Sequence, residues 1–225
     1  MEARVAFAQQ FNEKVARYPF FIRRVYFSDE SHFQLDGQVN SHNAIFWGNE
    51  KPDFVNHVPL HSEKVTVWCA VSFAGIVGPY FFEEDDETVT VNKERYQAML
   101  RNFFIPEIAP IGNKWMQQDG ATAHTARTSL ALLSEHFGEN IISLKTDFPW
   151  PAHSPDLTPL DFWLWGDLKG KVYNPKPRNR AELKAAIVRE IEKITAETCK
   201  NAIMNIFPRL ERVLELDGNH FEHLL

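Results

Sequence analysis

Cysteine is scarce. The chain has two, Cys69 and Cys199, far apart and without the paired spacing of a metal knuckle. A disulfide framework is therefore excluded, and the apolar strand around Cys69 reads as the setting of a buried thiol in a reducing compartment. No apolar run approaches the length that crosses a membrane. The amino terminus, MEARVAFAQQFNEK, is too charged for a secretory leader, so the expectation is an intracellular protein. Positive charge is not in excess either: 24 Lys and Arg stand against 30 Asp and Glu, a formal charge of −6. Any surface for a polyanion must then be a local patch. Internal repeats and low-complexity segments are absent. His57 and His61 have the spacing of a helical zinc pair, but Pro59 lies between them and no Glu follows His57, which argues against zinc.

What is present is a large apolar complement. Hydrophobic residues make up 44% of the 225 residues, with 18 Phe and 6 Trp, enough for one sizeable core. The reading is a single domain over 1–225. The chain is organised around KWMQQDGATAHTA, Lys114–Ala126. Lys114–Gln118 reads as a short buried strand ending in Asp119. Gly120–Ala121 makes a turn, and a helix starting near Thr122 carries Ala126, Leu130, Leu133 and Phe137 at helical spacing. An acid at the carboxyl end of a strand sits at the rim of an α/β sheet, where such sheets place their chemistry. The plainer alternative is that Asp119 only caps the helix.

Upstream, residues 3–18 form a helix with Phe7, Phe11, Val15 and Tyr18 on one face, ended by Pro19. Ile22–Phe27 is a strand that places Asp29 at or near its end. Residues 36–63 read as a long loop or arm, with Phe46–Trp47 as an apolar spot. Val65–Phe73 and Ile76–Phe82 form a hairpin turning at Ala74–Gly75. The acidic run Glu83–Glu87 reads as a solvated loop. A helix from about Val91 ends before Pro106, and Ile141–Leu144 is another strand. Downstream, a helix spans Leu160–Lys171, a basic run covers Lys169–Arg180, and Asn179 with Glu182 opens an amphipathic helix. A last helix starts near Thr195, is kinked or broken at Pro208, and stops at Gly218.

Three antiparallel strands followed by parallel strands with crossover helices predict an α/β mixed sheet, helices on both faces, and extra C-terminal helices. The ribonuclease H-like fold has this order. Its first and fourth strands are neighbours, so Asp29 and Asp119 would face each other. Two such carboxylates stay ionised together when a cation lies between them, and oxygen ligands suit Mg²⁺ or Mn²⁺. A third acid would complete a two-ion site for phosphodiester chemistry. Paired carboxylates also serve glycoside hydrolysis, which needs neither a third acid nor a metal.

Three blocks, FSDESHF, QQDGATAHTA and HSPDLTPLDFWLWGDLK, resemble the signature blocks of mariner-type transposases, the integrase-like DDE/D enzymes. The resemblance runs from about Phe20 to near His220 and includes VTVWCAVSFAGIVGPYFF and FPRLERVLE. It implies a catalytic core that hydrolyses DNA at transposon ends and uses the freed 3′-hydroxyl to attack target DNA. Carried over residue by residue, Asp29, Asp119 and Asp161 are the catalytic acids and the ligands of two Mg²⁺ or Mn²⁺ ions. Double-stranded DNA is the implied partner, with a homodimer formed through the 36–63 region, no membrane, and a nuclear location. The rival reading is a catalytically silent transposon-derived DNA- or protein-binding module. Two departures stand out: 41 residues separate Asp119 from Asp161, more than the mariner branch leads one to expect, and the family's amino-terminal helix-turn-helix region is expected to be missing.

Several single residues carry competing readings. His124 is a candidate phosphate contact or a polar helix-surface histidine. Trp163 and Trp165 read as core anchors. Lys169, Lys171, Lys176, Arg178 and Arg180 are candidate DNA contacts because they follow the third acid directly. Asp161 is preferred over Asp156 as that acid. Asp156 lies in a Pro-flanked turn, whereas Asp161 shares the packed face of Leu164, Trp165 and Leu168.

Overall fold

The computed structural model describes residues 1–37 and 63–221. Most of the arm read at 36–63, including Phe46, Trp47, His57 and His61, lies outside the described residues. Helix α1 spans Glu2–Arg17 and leads through a 3₁₀ turn, Ile22–Arg24, into strand β1, Val25–Gln34. Strands β2 (Lys64–Ser72) and β3 (Gly75–Phe81) follow as the expected hairpin. A small hairpin, β4 (Glu83–Glu84) and β5 (Glu87–Thr88), precedes α2, Lys93–Met99. A π turn, Leu100–Phe104, joins α2 to α3, Ile105–Ile108. Then come β6 (Trp115–Gln117), α4 (Arg127–Phe137) and β7 (Ile141–Ile142). A second π turn, Leu160–Leu164, opens α5, Trp165–Val172. Helices α6 (Arg180–Glu192), α7 (Ala196–Met204) and α8 (Ile206–Glu215) complete the chain.

The strands form one five-stranded sheet in the order β3-β2-β1-β6-β7. β1–β2 and β2–β3 are antiparallel; β1–β6 and β6–β7 are parallel. This is the mixed sheet that the element order predicts. Strand β2 shows why both faces must be covered. Successive side chains point to opposite faces, and its Val65, Val67, Cys69 and Val71 enter one core while Trp68 and Ala70 enter another. The first core is closed by Phe7 and Phe11 of α1 together with apolar residues of α5 to α8. The second is closed by Tyr96 and Met99 of α2, Phe104, and Leu132, Leu133 and Phe137 of α4. Cys69 and Cys199 are both buried free thiols.

Four sequence expectations need correction. Strand β1 starts at Val25 and runs to Gln34, so Asp29 lies in its middle rather than at its end; pairing with β2 as far as Gln34–Lys64 extends it. The helix after Asp119 begins at Arg127, because residues 121–126 form turns closed by His124 N–H and Thr125 N–H donating to the Ala121 carbonyl. The helix passes Pro106, which sits in the first turn of α3 where a missing N–H costs little. The last helix breaks at Asn205, not at Pro208, which lies in the first turn of α8.

Candidate active site

The parallel ladder of β1 and β6 ends at the pair Phe27–Gln117. Asp29 and Asp119 each come two residues later, so the two acids have equal offsets on adjacent strands. Ser28 Oγ donates to the Gln117 carbonyl at 2.8 Å and ties the two strands at this point. Asp29 stays in the sheet, opposite Cys69 of β2. Asp119 is released into the turn, where its Oδ1 accepts the Ala121 N–H at 2.9 Å.

Asp161 reaches the same place from the other side. It lies in the Leu160–Leu164 turn, and Asp29, Asp119 and Asp161 all line one cleft of about 510 Å³. Leu160 and Leu164 are fully buried and anchor the turn, while Asp161 is exposed on the cleft side. The expectation that Asp161 shares a packed face is therefore corrected. A π turn spaces residues more widely than an α-helix and presents this side chain outward, a use for which such turns recur at functional sites.

The electrostatics centre on Asp29. Burial, then the charges of Asp161 and Glu30, push its carboxyl well above the usual carboxylate range, with a smaller push from Asp119. The opposing influence is a hydrogen bond from Trp165 Nε1 to Asp29 Oδ2 at 2.8 Å. Trp165 is thus more than the core anchor the sequence suggested: its ring packs against Phe33 and its N–H orients an acid.

His124 sits between two carboxylates. Its Nδ1 lies 2.6 Å from Asp119 Oδ1 and its Nε2 lies 3.1 Å from Glu30 Oε1. Burial alone would favour the neutral ring, but Glu30 and Asp119 outweigh it and push the imidazole up to about 10. Asp119 is affected in the opposite sense. Burial raises its carboxyl, but His124 and the Ala121 amide together hold it below the usual value. The reading of His124 as a phosphate contact is corrected on geometry, since its side chain is 3% exposed and both ring nitrogens face carboxylates. Gln118 fixes the loop that carries it, accepting from Tyr96 Oη at 2.6 Å and donating to the His124 carbonyl and to Ser143 Oγ, each at 3.1 Å. The Tyr96 ring lies against the imidazole, 4.3 Å between centroids. The sequence reading missed Glu30, Gln118 and Tyr96. Glu30 was visible as the acid beside Asp29, but nothing local marked its partner 94 residues away.

Asp156 is excluded from the cleft. It is fully buried and takes a two-pronged ion pair from Arg4, with Nη1–Oδ1 at 2.7 Å and Nη2–Oδ2 at 2.5 Å. Among the described residues, no three His, Cys, Asp or Glu side chains stand close enough together to hold a metal ion as they are. The donor chemistry nonetheless fits a hard divalent cation: four carboxylates, Asp29, Glu30, Asp119 and Asp161, line one cleft, and burial together with its neighbours' charges raises Asp29.

Residues 24–184 match the DDE superfamily endonuclease family. The chain belongs to the DDE superfamily endonucleases. Two curated relatives carry the same segment. The Tc3 transposase of Caenorhabditis elegans is 27% identical over 202 residues, covering 87% of this chain and 57% of the relative. The histone-lysine N-methyltransferase SETMAR of Homo sapiens is 23% identical over 209 residues, covering 90% of this chain and 29% of the relative. The chain thus spans little more than half of one curated relative and under a third of the other. Among solved structures, the catalytic domain of the Mos1 mariner transposase superposes with a TM-score of 0.73 at 21% identity, covering 99% of this chain and 95% of that one. The same domain with raltegravir and Mn gives a TM-score of 0.74 at 21% identity, with 99% and 96% covered. The mariner-type resemblance read from the three sequence blocks and the ribonuclease H-like sheet both hold.

In this DDE endonuclease the basic run is not one surface. Lys169 is partly buried over the Phe33 ring, 5.5 Å from its centroid; burial lowers the ammonium while the charges of Asp161 and Asp29 oppose that. Lys171 pairs with Asp167 at 2.7 Å. Lys176 is exposed, and Arg178 is 87% exposed with Glu182 only at 4.0 Å. Arg180 grips Glu87 with two bonds of 2.7 and 2.8 Å. The acidic run expected as a solvated loop is therefore a hairpin pinned by cations: Arg180 on Glu87, Lys184 on Glu83, and Arg95 on Glu84.

Proposed function

We propose that this domain cleaves DNA strands by divalent-metal-dependent phosphodiester chemistry and joins the freed ends to target DNA. The observation that carries the reading is the matched offset of Asp29 and Asp119 on adjacent parallel strands, with Asp161 on the same cleft. Asp29, Asp119 and Asp161 would hold Mg²⁺ or Mn²⁺. When bound, such ions polarise the phosphate and stabilise the attacking and leaving oxygens. The protein's own contribution is orientation. Trp165 fixes one oxygen of Asp29, and His124 with the Ala121 amide fixes one oxygen of Asp119. Lys169, close enough to feel both Asp161 and Asp29, is the cation we assign to a phosphate entering the cleft.

The substrate is inferred from relatives. Mos1 is described in a paired-end complex with its left transposon end, and in forms with Mn and with Mg. Carried to this chain, that supports transposon-end DNA, divalent metal and a paired assembly, while a two-ion site and action in the nucleus are proposed from the sequence resemblance alone. Among the described residues no helix is long and apolar enough to cross a membrane.

The test is nicking of plasmid DNA by the purified chain with Mg²⁺, Mn²⁺ or chelator. Nicking should need the metal and vanish in Asp119→Asn. A second reading is a DNA-binding module of the same fold without chemistry. Metal-independent binding with no nicking under any of these conditions would establish that second reading.

A further inference from the structure

We infer that a second cleft, at the opposite end of β1 and β6 from the acids, binds a single DNA strand through its phosphates and bases. This cleft holds about 460 Å³ and lies where the C-terminal turn of α1 meets the first residues of the two strands. Its walls carry three cations, Lys14, Arg17 and Arg24, and four aromatic rings, Tyr18, Phe20, Phe21 and Trp115. Among the described residues no carboxylate lines it. In a chain of net charge −6, that is a local reversal of sign. None of the three cations forms an ion pair among the described residues, whereas the cations near the acidic hairpin are engaged by it.

The rings and cations are interleaved. Lys14 Nζ lies 4.7 Å from the Trp115 centroid and 5.7 Å from that of Tyr18, and the Arg17 guanidinium lies 5.7 Å from Tyr18. Arg23, beside the cleft, covers Phe20 at 5.2 Å. These contacts hold long side chains in place before a ligand arrives. Phe21, buried, fixes Trp115 edge-on at 5.1 Å. Tyr18 and Phe20, unlike the buried Phe21 beside them, are 54% and 60% exposed. Exposed rings beside unpaired cations are what sequence-tolerant single-strand binding uses, the bases stacking and the phosphates pairing. Duplex DNA offers phosphates but keeps its bases stacked inside, so it leaves the rings without a role. An acidic peptide likewise uses only the charges.

The inference rests on the DNA reading above for the identity of the ligand and does not depend on cleavage. The test is fluorescence polarisation of a labelled oligothymidylate, in chelator, against an equal length of duplex and with polyglutamate as competitor. The single strand should bind more tightly than the duplex. Phe20→Ala should weaken it between about fivefold and a hundredfold, the range for losing one stacked base. Arg17→Glu with Arg24→Glu should weaken it further and flatten its salt dependence. Because Phe20 is largely exposed, its variant stays readable if the charge reversal disturbs folding. Single-strand affinity indifferent to Phe20→Ala, preference for duplex, or equal competition by polyglutamate overturns the inference. If the parent chain also nicks DNA in that case, the cleavage reading stands; strand binding sensitive to these variants without nicking gives the converse.

Discussion

Arg4 and Asp156 form the strongest single tie between distant parts of the chain. Their side chains are 5% and 0% exposed. Arg4 also donates to Ser154 Oγ at 2.8 Å and, through Nε, to the Gly218 carbonyl at 3.0 Å. One guanidinium therefore joins the start of α1, the Ser154–Asp156 segment and the chain beyond α8. Replacing Arg4 by Met leaves a carboxylate without its cation at a site with no solvent access. Breaking a buried pair from one side costs about 3–5 kcal/mol. For a domain of this size each kcal/mol moves the melting temperature by about 2–4 °C, so Arg4→Met should melt about 6–20 °C lower. Asp156→Leu should do the same from the other side. Removing both charges together, Arg4→Met with Asp156→Leu, should recover most of the loss, because the desolvation cost disappears along with the attraction.

The same pair separates Asp156 from Asp161. Below its lowered melting temperature Asp156→Asn should still nick DNA with metal, since its side chain is bound to Arg4 and does not line the cleft. Asp161→Asn should lose nicking and melt no lower than the parent. Differential scanning calorimetry on all of these variants, with the plasmid assay on the two Asn variants, decides it. Single variants of the buried pair melting within about 2 °C of the parent would refute the buried-pair argument. Loss of nicking by folded Asp156→Asn would refute the assignment of the third acid.

Three further outcomes follow from the electrostatics. Asp29 titrates above its ordinary range in the folded state, so the stability it allows is present below the unfolded pKa and is lost as pH rises through the folded one; in chelator, Asp29→Asn should therefore melt higher than the parent near pH 8, with the gap closing in acid. His124 is raised from 6.5 to about 10, so its stabilising contribution is complete below pH 6.5 and fades as pH climbs toward 10; urea titrations should show His124→Gln most destabilised at the low end of that window. Lys169→Gln should weaken DNA binding in the cleft and its salt dependence more than Arg180→Gln, because Glu87 and Glu63 already engage Arg180 while Lys169 is near enough to Asp161 and Asp29 to feel their charges.

Local pattern made much of the fold legible in the sequence. The hairpin at Gly75, the Asn179 cap on the Glu182 N–H, and the alternation of β2 each depend on neighbours in the chain. The three acids were readable because each sits in a block with its own hydrophobic frame. The failures were long-range. Asp29 lay mid-strand because β2 continued to pair past it, and β2 follows the 38–62 segment. The acidic run looked solvated because its partners Arg180 and Lys184 are about a hundred residues away. His124 looked like a surface residue because the helix was started too early. A turn bonded to the Ala121 carbonyl turns the ring inward between Glu30 and Asp119 instead.

The arrangement also explains how a stable domain tolerates four carboxylates in one place. Glu30 and Asp119 are both met by His124, whose charge is sustained by them against the cost of burial. Asp29 is met by a neutral indole, so its repulsion with Asp161 is not relieved in the same way. The electrostatic strain is thus concentrated on one pair, and that pair has unequal freedom. Asp29 is fixed in the middle of a central strand, while Asp161 is exposed on a five-residue turn whose ends, Leu160 and Leu164, are locked in the core. A cation shared by the two would draw on Asp161 to adjust and on Asp29 to stay still. Removing charge at Asp29 relieves burial and repulsion together, whereas removing it at the exposed Asp161 relieves repulsion but also gives up its attraction to Lys169. The gain in melting temperature should therefore be larger for Asp29→Asn than for Asp161→Asn, and both should lose cleavage. Equal gains would mean that burial of Asp29 contributes nothing, and would refute the unequal division of strain between the two acids.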